Sequence, residues 1–176
     1  CSMTDASAER IGKVLEGLEA FERLERKKQV EGLTEAETAL WGECYSAVLD
    51  ELEPLSGQFI QEREFVRIPY RCSVVVWMDE AAAEAKTTTF CCGGVSVPYQ
   101  EGLKEGEVYK ITLSLNKHFG QDEATSITVN LRAKCEWMSE EDGLTAFRFS
   151  KPQPQMRIFL IERVFEVIEE KLRKLI

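Results

Sequence analysis

Apolar residues in the first fifty positions recur at three- and four-residue steps, and beyond Arg67 they recur at every second position. This change of period splits the chain into a helical part and a β part. Ile11, Val14, Leu18 and Phe21, flanked by Leu15 and Leu24, form one face of a first helix, with Thr4, Asp5 and Ser7 as candidate caps. The basic turn Arg26-Lys27-Lys28 suits the negative end of the helix dipole, and Glu31-Gly32 closes the helix. Thr34-Glu35-Ala36-Glu37 has the spacing of a capping box. It opens a second helix with Leu40, Trp41, Cys44, Tyr45, Val48 and Leu52 as its apolar stripe, stopped by Pro54. The short connection predicts an antiparallel helical hairpin.

The two-residue alternation predicts six strands, over 72–78, 86–92, 95–98, 108–115, 127–137 and 145–149. Gly93-Gly94, Glu101-Gly102, Glu105-Gly106, Gly120-Gln121-Asp122 and Glu141-Asp142-Gly143 punctuate them. Six short strands at this spacing predict a small, closed or nearly closed antiparallel barrel. Ala81-Ala82-Ala83 reads as a loop or helical turn, and His118 as a surface residue in a loop between strands. Phe90, Tyr99, Tyr109, Trp137 and Phe147 are interleaved with apolar residues and are assigned to the barrel core.

Pro152 and Pro154 end the β part, and a long helix follows over 155–175. Ile158, Ile161, Phe165, Ile168, Leu172 and Leu175 form a coiled-coil-like seam, with Leu160, Val164 and Val167 as a second apolar stripe. Two apolar faces require two partners, the barrel and the N-terminal hairpin, the latter from the same chain or from another copy. The expected architecture is mainly β with flanking helices: an accessory hairpin over 1–57, then a barrel with a C-terminal helix over 58–176.

Charge narrows the ligand. The 176 residues carry a formal net charge of −9, which opposes non-specific DNA, RNA or anionic-membrane binding. No apolar run is long enough to span a bilayer. Met3 reads as the natural start, with no secretory signal after it, so the expected location is cytoplasmic. Six cysteines lack CxxC spacing and one histidine is present, so no metal site is expected and the thiols read as reduced packing residues. Cys91-Cys92 point to opposite faces if they lie on a strand. Within this acidic chain, Arg63, Arg67 and Arg71 stand four residues apart immediately ahead of the first β run. Arginine grips phosphates and pairs with guanine edges, so the cluster points to one small anionic ligand.

Arginines ahead of a strand, six barrel-like strands, a Gly-Gly turn and a closing helix together resemble the PilZ domain, over residues 58–175. The resemblance implies a bacterial receptor for cyclic di-GMP. The family's RxxxR motif is matched by Arg63-Glu64-Phe65-Val66-Arg67, with Arg71 as a possible third cation. The family's second motif, [D/N]xSxxG, corresponds to Thr89-Phe90-Cys91-Cys92-Gly93-Gly94. Gly94 matches, whereas Thr89 replaces the acid or amide and Cys91 the serine. A threonine hydroxyl does not clamp the guanine N1–H and N2–H₂ as a carboxylate does, and cysteine is a poor hydrogen-bonding group. Each lost partner costs about 1–3 kcal/mol, or ten- to hundred-fold in affinity.

Two functions follow. The first is a cyclic di-GMP receptor or adaptor, binding through Arg63, Arg67, Arg71, Thr89, Cys91 and Gly94 and moving a protein-binding surface, with no further cofactor. The second is a degenerate barrel without nucleotide that oligomerises or docks a partner through its helices. An enzyme is not expected: GxSxG, P-loop and HExxH patterns are lacking. The pairs Glu35/Glu37, Glu140/Glu141 and Glu169/Glu170 read as solvated charge, and Asp122-Glu123 as a polar turn.

Overall fold

A computed structural model of the chain describes residues 4–52, 64–119 and 123–176, with backbone alone at 116–119 and 123–125. The chain forms two compact units, one comprising Cys1–Val66 with Ile158–Ile176 and the other Arg67–Arg157.

The first unit contains α1 (Asp5–Val30), α2 (Glu35–Leu52) and most of α3 (Pro154–Arg173). Thr4 caps α1, its Oγ1 accepting from the Ser7 amide. Gly32, at φ 91°, donates its amide to the Lys27 carbonyl and ends the helix in a conformation that glycine adopts without strain. The capping box of α2 is reciprocal. The Glu37 amide donates to Thr34 Oγ1 at 3.2 Å, and the Thr34 amide to Glu37 Oε1 at 3.1 Å. The Lys27 ammonium also donates to Glu37, and together these bonds hold the Glu37 carboxyl at about 2.

The three helices meet on aromatic rings. Phe21 lies 6.5 Å from Trp41, 6.1 Å from Tyr45 and 4.9 Å from Phe165. The N-terminal hairpin therefore packs against α3 of the same chain. Arg26 of α1 adds an ion pair to Glu162 of α3 at 3.0 Å. Leu40, expected in the α2 stripe, is 48% exposed. It lies one residue before buried Trp41, which takes the inward direction at that turn.

The second unit is a curled antiparallel sheet of eight strands rather than six. They are β1 (Ile68–Pro69), β2 (Ser73–Trp77), β3 (Ala82–Lys86), β4 (Thr89–Cys91), β5 (Gly94–Pro98), β6 (Val108–Phe119), β7 (Glu123–Ser139) and β8 (Leu144–Phe149). Their order is β1-β4-β5-β8-β7-β6-β2-β3. The curl brings β3 back near β5. One face buries Val74, Val76, Phe90, Val97, Ile111, Leu113, Cys135 and Phe147. The other carries Ser73, Thr112, Ser114, Asn130, Arg132 and Lys134, the alternation of a sheet with one buried face.

Three expectations change. The alanine run is the edge strand β3, paired along its length with β2, where Ala82 meets Trp77. His118 lies in the β6 backbone, paired with Ala124, because the β6–β7 hairpin extends further than its polar sequence indicates. Trp137 is 44% exposed and not in the core. A bulge between Cys135 and Trp137 shifts the register, so Cys135 faces inward opposite Phe147 while Trp137 faces outward opposite Ala146. Phe90, Tyr109 and Phe147 are buried as expected, whereas Tyr99, just past the end of β5, is only half-buried.

Candidate functional site

Four anchors build the arginine corner. Ile68 pairs with Phe90 and Pro69 with Thr89, so β1 lies beside β4. Arg67, immediately before β1, is exposed; the same register continued by one residue sets it opposite Cys91. Arg71, also exposed, sits in the β1–β2 connection rather than at a strand start. Thr87 holds that connection: its hydroxyl donates to the Tyr70 carbonyl and accepts from the Cys72 amide at 2.9 Å. Arg63 lies outside the described residues.

Across β4 and β5 the second-motif residues serve the sheet itself. Thr89 Oγ1 is 2.6 Å from Ser96 Oγ, and the Thr89 amide donates to the same oxygen at 3.2 Å. Cys91 is buried, its thiol donating to the Gly94 carbonyl at 3.4 Å. Gly94 pairs with Cys91 on one side and Arg148 on the other. A side chain at Gly94 would overlap the Phe147 carbonyl oxygen and press on Arg148 Cα at 3.3 Å. The glycine is thus required by the close approach of β8.

The register also delivers cations that the linear sequence did not single out. Arg148 stands opposite Gly94, Lys134 opposite Arg148, and Lys110 opposite Arg132. All four are exposed and share the outer face. Like charges directly opposite each other on a sheet are destabilising, and an anion bound there would relieve that repulsion. Of the acids, Asp79, Glu80, Glu105, Glu107, Glu140 and Glu141 occupy connections between strands, and Glu84 lies on the outer face in β3, opposite Val75. Residues 67–157 contain 11 Lys and Arg against 12 Asp and Glu, whereas the remaining residues contain 11 against 19. The net negative charge therefore resides almost entirely in the helical unit. The alternation Phe147-Arg148-Phe149 marks Arg148 as outward-facing; its pairing with Gly94 is a tertiary fact.

The sequence reading also missed Glu25, a carboxylate 1% exposed within the apolar face of α1. Its Oε2 accepts the Val66 amide at 2.7 Å and its Oε1 accepts Gln29 Nε2 at 2.7 Å. The same Gln29 nitrogen donates to the Glu64 carbonyl at 3.0 Å. The main chain in the middle of the RxxxR spacing is therefore tied to α1. Burial pushes the Glu25 carboxyl above its ordinary range, opposed by the bonds from Gln29 and Val66 and by the Lys28 charge. Its position four residues after Phe21, in stripe register, was the available signal.

A pH consequence follows. With its folded pKa raised, Glu25 keeps a proton in the native state over a window in which the unfolded chain has lost it. Stability is then lost as pH rises through that window. Glu25→Gln removes the ionisation while keeping an acceptor. It is expected to raise the melting temperature at neutral pH, with the gain shrinking toward about pH 4, as read by thermal melts across pH.

Cys72 and Cys135 are buried thiols with pKa values raised by that burial, which makes them poor nucleophiles. Among the described residues, no group of three or more His, Cys, Asp or Glu is placed to hold a metal ion, and no helix is long and apolar enough to cross a membrane.

No protein-family model matches the chain, and no curated protein matches its sequence. Solved structures do match. YcgR from Escherichia coli in complex with c-di-GMP is similar at a TM-score of 0.52 and 20% identity, covering 65% of this chain and 49% of that one. The fold is PilZ-like. The Bacillus subtilis inhibitor of motility MotI/DgrA is similar at a TM-score of 0.46 and 15% identity, over 60% of this chain and 51% of that one. The PilZ domain of CeSA from a cellulose-synthesizing bacterium is similar at 0.42 and 18%, over 58% of this chain and 97% of that one. The chain spans about half the length of YcgR and MotI. Residues 89–94, which resemble the second motif in sequence, fall on β4, β5 and the turn between them.

Proposed function

We propose that the chain is a non-catalytic receptor of PilZ type that takes up cyclic di-GMP at the β1–β4–β5 corner and passes the change to a protein partner through its helical unit. The pairing of Pro69 with Thr89 supports this reading most strongly, because it brings the end of the RxxxR segment alongside the second-motif strand. In this mechanism Arg63 and Arg67 donate to phosphate oxygens and to the N7 and O6 edge of guanine. Arg148, across from Gly94, adds a cation on the same face. The nucleotide holds the arginine segment, and the segment passes the change to α1, to which Val66 is tied through Glu25. Cyclic di-GMP complexed with the similarly folded YcgR is consistent with this ligand.

The test is calorimetry with cyclic di-GMP and, separately, GTP. Saturable heat with the cyclic dinucleotide alone is expected. Arg67→Ala is expected to weaken it about 10- to 100-fold, the loss of one charge-assisted hydrogen-bonding group. No heat at high micromolar ligand would leave the second reading, a nucleotide-free docking scaffold. One observation favours that alternative: Thr89 and Cys91 spend their polar atoms on Ser96 and Gly94 within the sheet.

A further inference from the structure

Glu25 is the most buried carboxylate among the described residues of the helical unit. Its carboxylate holds a main-chain amide, and Gln29 beside it holds a main-chain carbonyl. Both held groups, Val66 N–H and Glu64 C=O, lie strictly between the two arginines of the RxxxR spacing. Val66 is itself buried, so its amide has no water to turn to if the carboxylate is removed. On the other side of Arg67, Ile68 is fixed by its pairing with Phe90. Arg67 thus stands between two anchored neighbours, one held by an α1 side chain and one by the sheet.

We propose that Glu25, assisted by Gln29, is the positioning residue of the ligand-gripping arginine segment, and that it couples occupancy of the nucleotide site to α1. This rests on the function proposed above. Glu25 touches no ligand. It sets the main chain from which Arg67 projects, so that less order must be imposed when the anion arrives. Coupling is reciprocal: whatever Glu25 adds to ligand affinity, the ligand returns as added protection of the Glu25–Val66 bond.

The experiment uses the full chain as wild type, Glu25→Leu, Glu25→Gln and Gln29→Leu, each checked by circular dichroism. Two readouts are taken: amide hydrogen exchange at Val66, and calorimetric affinity for cyclic di-GMP. Glu25→Leu is expected to speed exchange at Val66 and to weaken the nucleotide about tenfold, the equivalent of one positioning hydrogen bond. Glu25→Gln, which keeps an acceptor, is expected to restore most of both. Gln29→Leu is expected to give a smaller change in the same direction. Ligand should slow exchange at Val66 in wild type and not in Glu25→Leu. Unchanged exchange in a folded Glu25→Leu overturns the proposal, as does faster exchange with unchanged affinity. A wild type that binds no cyclic di-GMP removes the receptor reading and with it the coupling, while the exchange data still decide whether Glu25 positions the segment.

Discussion

Gly94→Ala is expected to destabilise the sheet unit by about 3 kcal/mol or more, the range of severe overpacking. The new methyl would fall on the Phe147 carbonyl oxygen, with the Phe147 carbonyl carbon at 3.2 Å. These are backbone atoms of β8, which cannot rotate away as a side chain can. Relief requires β5 and β8 to separate where Gly94 pairs with Arg148, and that pairing closes the sheet around Phe147 and Val95. Gly17→Ala serves as the contrast. It lies inside α1 with nothing within 4 Å of the added atom, and is expected to stabilise by about 0.5–1 kcal/mol. Urea melts of both variants check the pair; equal and small effects would mean that β5 and β8 do not approach so closely. The glycine that matches the second PilZ motif is therefore explained by strand packing alone.

The legible parts of the molecule were those governed by short-range rules. The Thr34–Glu37 box and the end of α1 at Gly32 both follow from neighbours within five residues. The parts that escaped depend on partners distant in sequence. Glu84 and Lys86 alternate with alanine, a weak strand signal, and they form β3 because β2 offers a free edge. Trp137 turns outward because one extra residue, Glu136, enters the β7 ladder, and periodicity carries no mark of a bulge. Glu25 stands four residues after Phe21 in the stripe of α1. Its meaning comes from residues 64–66, about forty positions later. The same holds at the corner, where the arginines and the Gly-Gly turn were visible but the placement of Arg148 across from Gly94 was not.

The largest gain in affinity is expected from rebuilding the second motif. Thr89→Asp with Cys91→Ser should tighten cyclic di-GMP about a hundredfold or more over wild type, since each restored partner is worth about 1–3 kcal/mol. The local geometry suits both changes. Position 89 lies beside the Ser96 hydroxyl, which can donate to a carboxylate and hold it in place, with Pro69 rather than an acid as its β1 neighbour. The outward face there is cationic through Arg67 and Arg148, so an added carboxylate meets attraction rather than repulsion. At position 91 a serine hydroxyl is smaller than the thiol and is the stronger hydrogen-bonding group. Calorimetry on wild type, both single variants and the double variant gives the interaction between the two positions as well as their sum. Adding Arg67→Ala to the double variant should cancel most of the gain if the arginine and the motif grip one ligand. A rebuilt motif that still takes no cyclic dinucleotide, with the sheet intact by circular dichroism, would assign this corner to structure and the anion-seeking outer face to a protein partner.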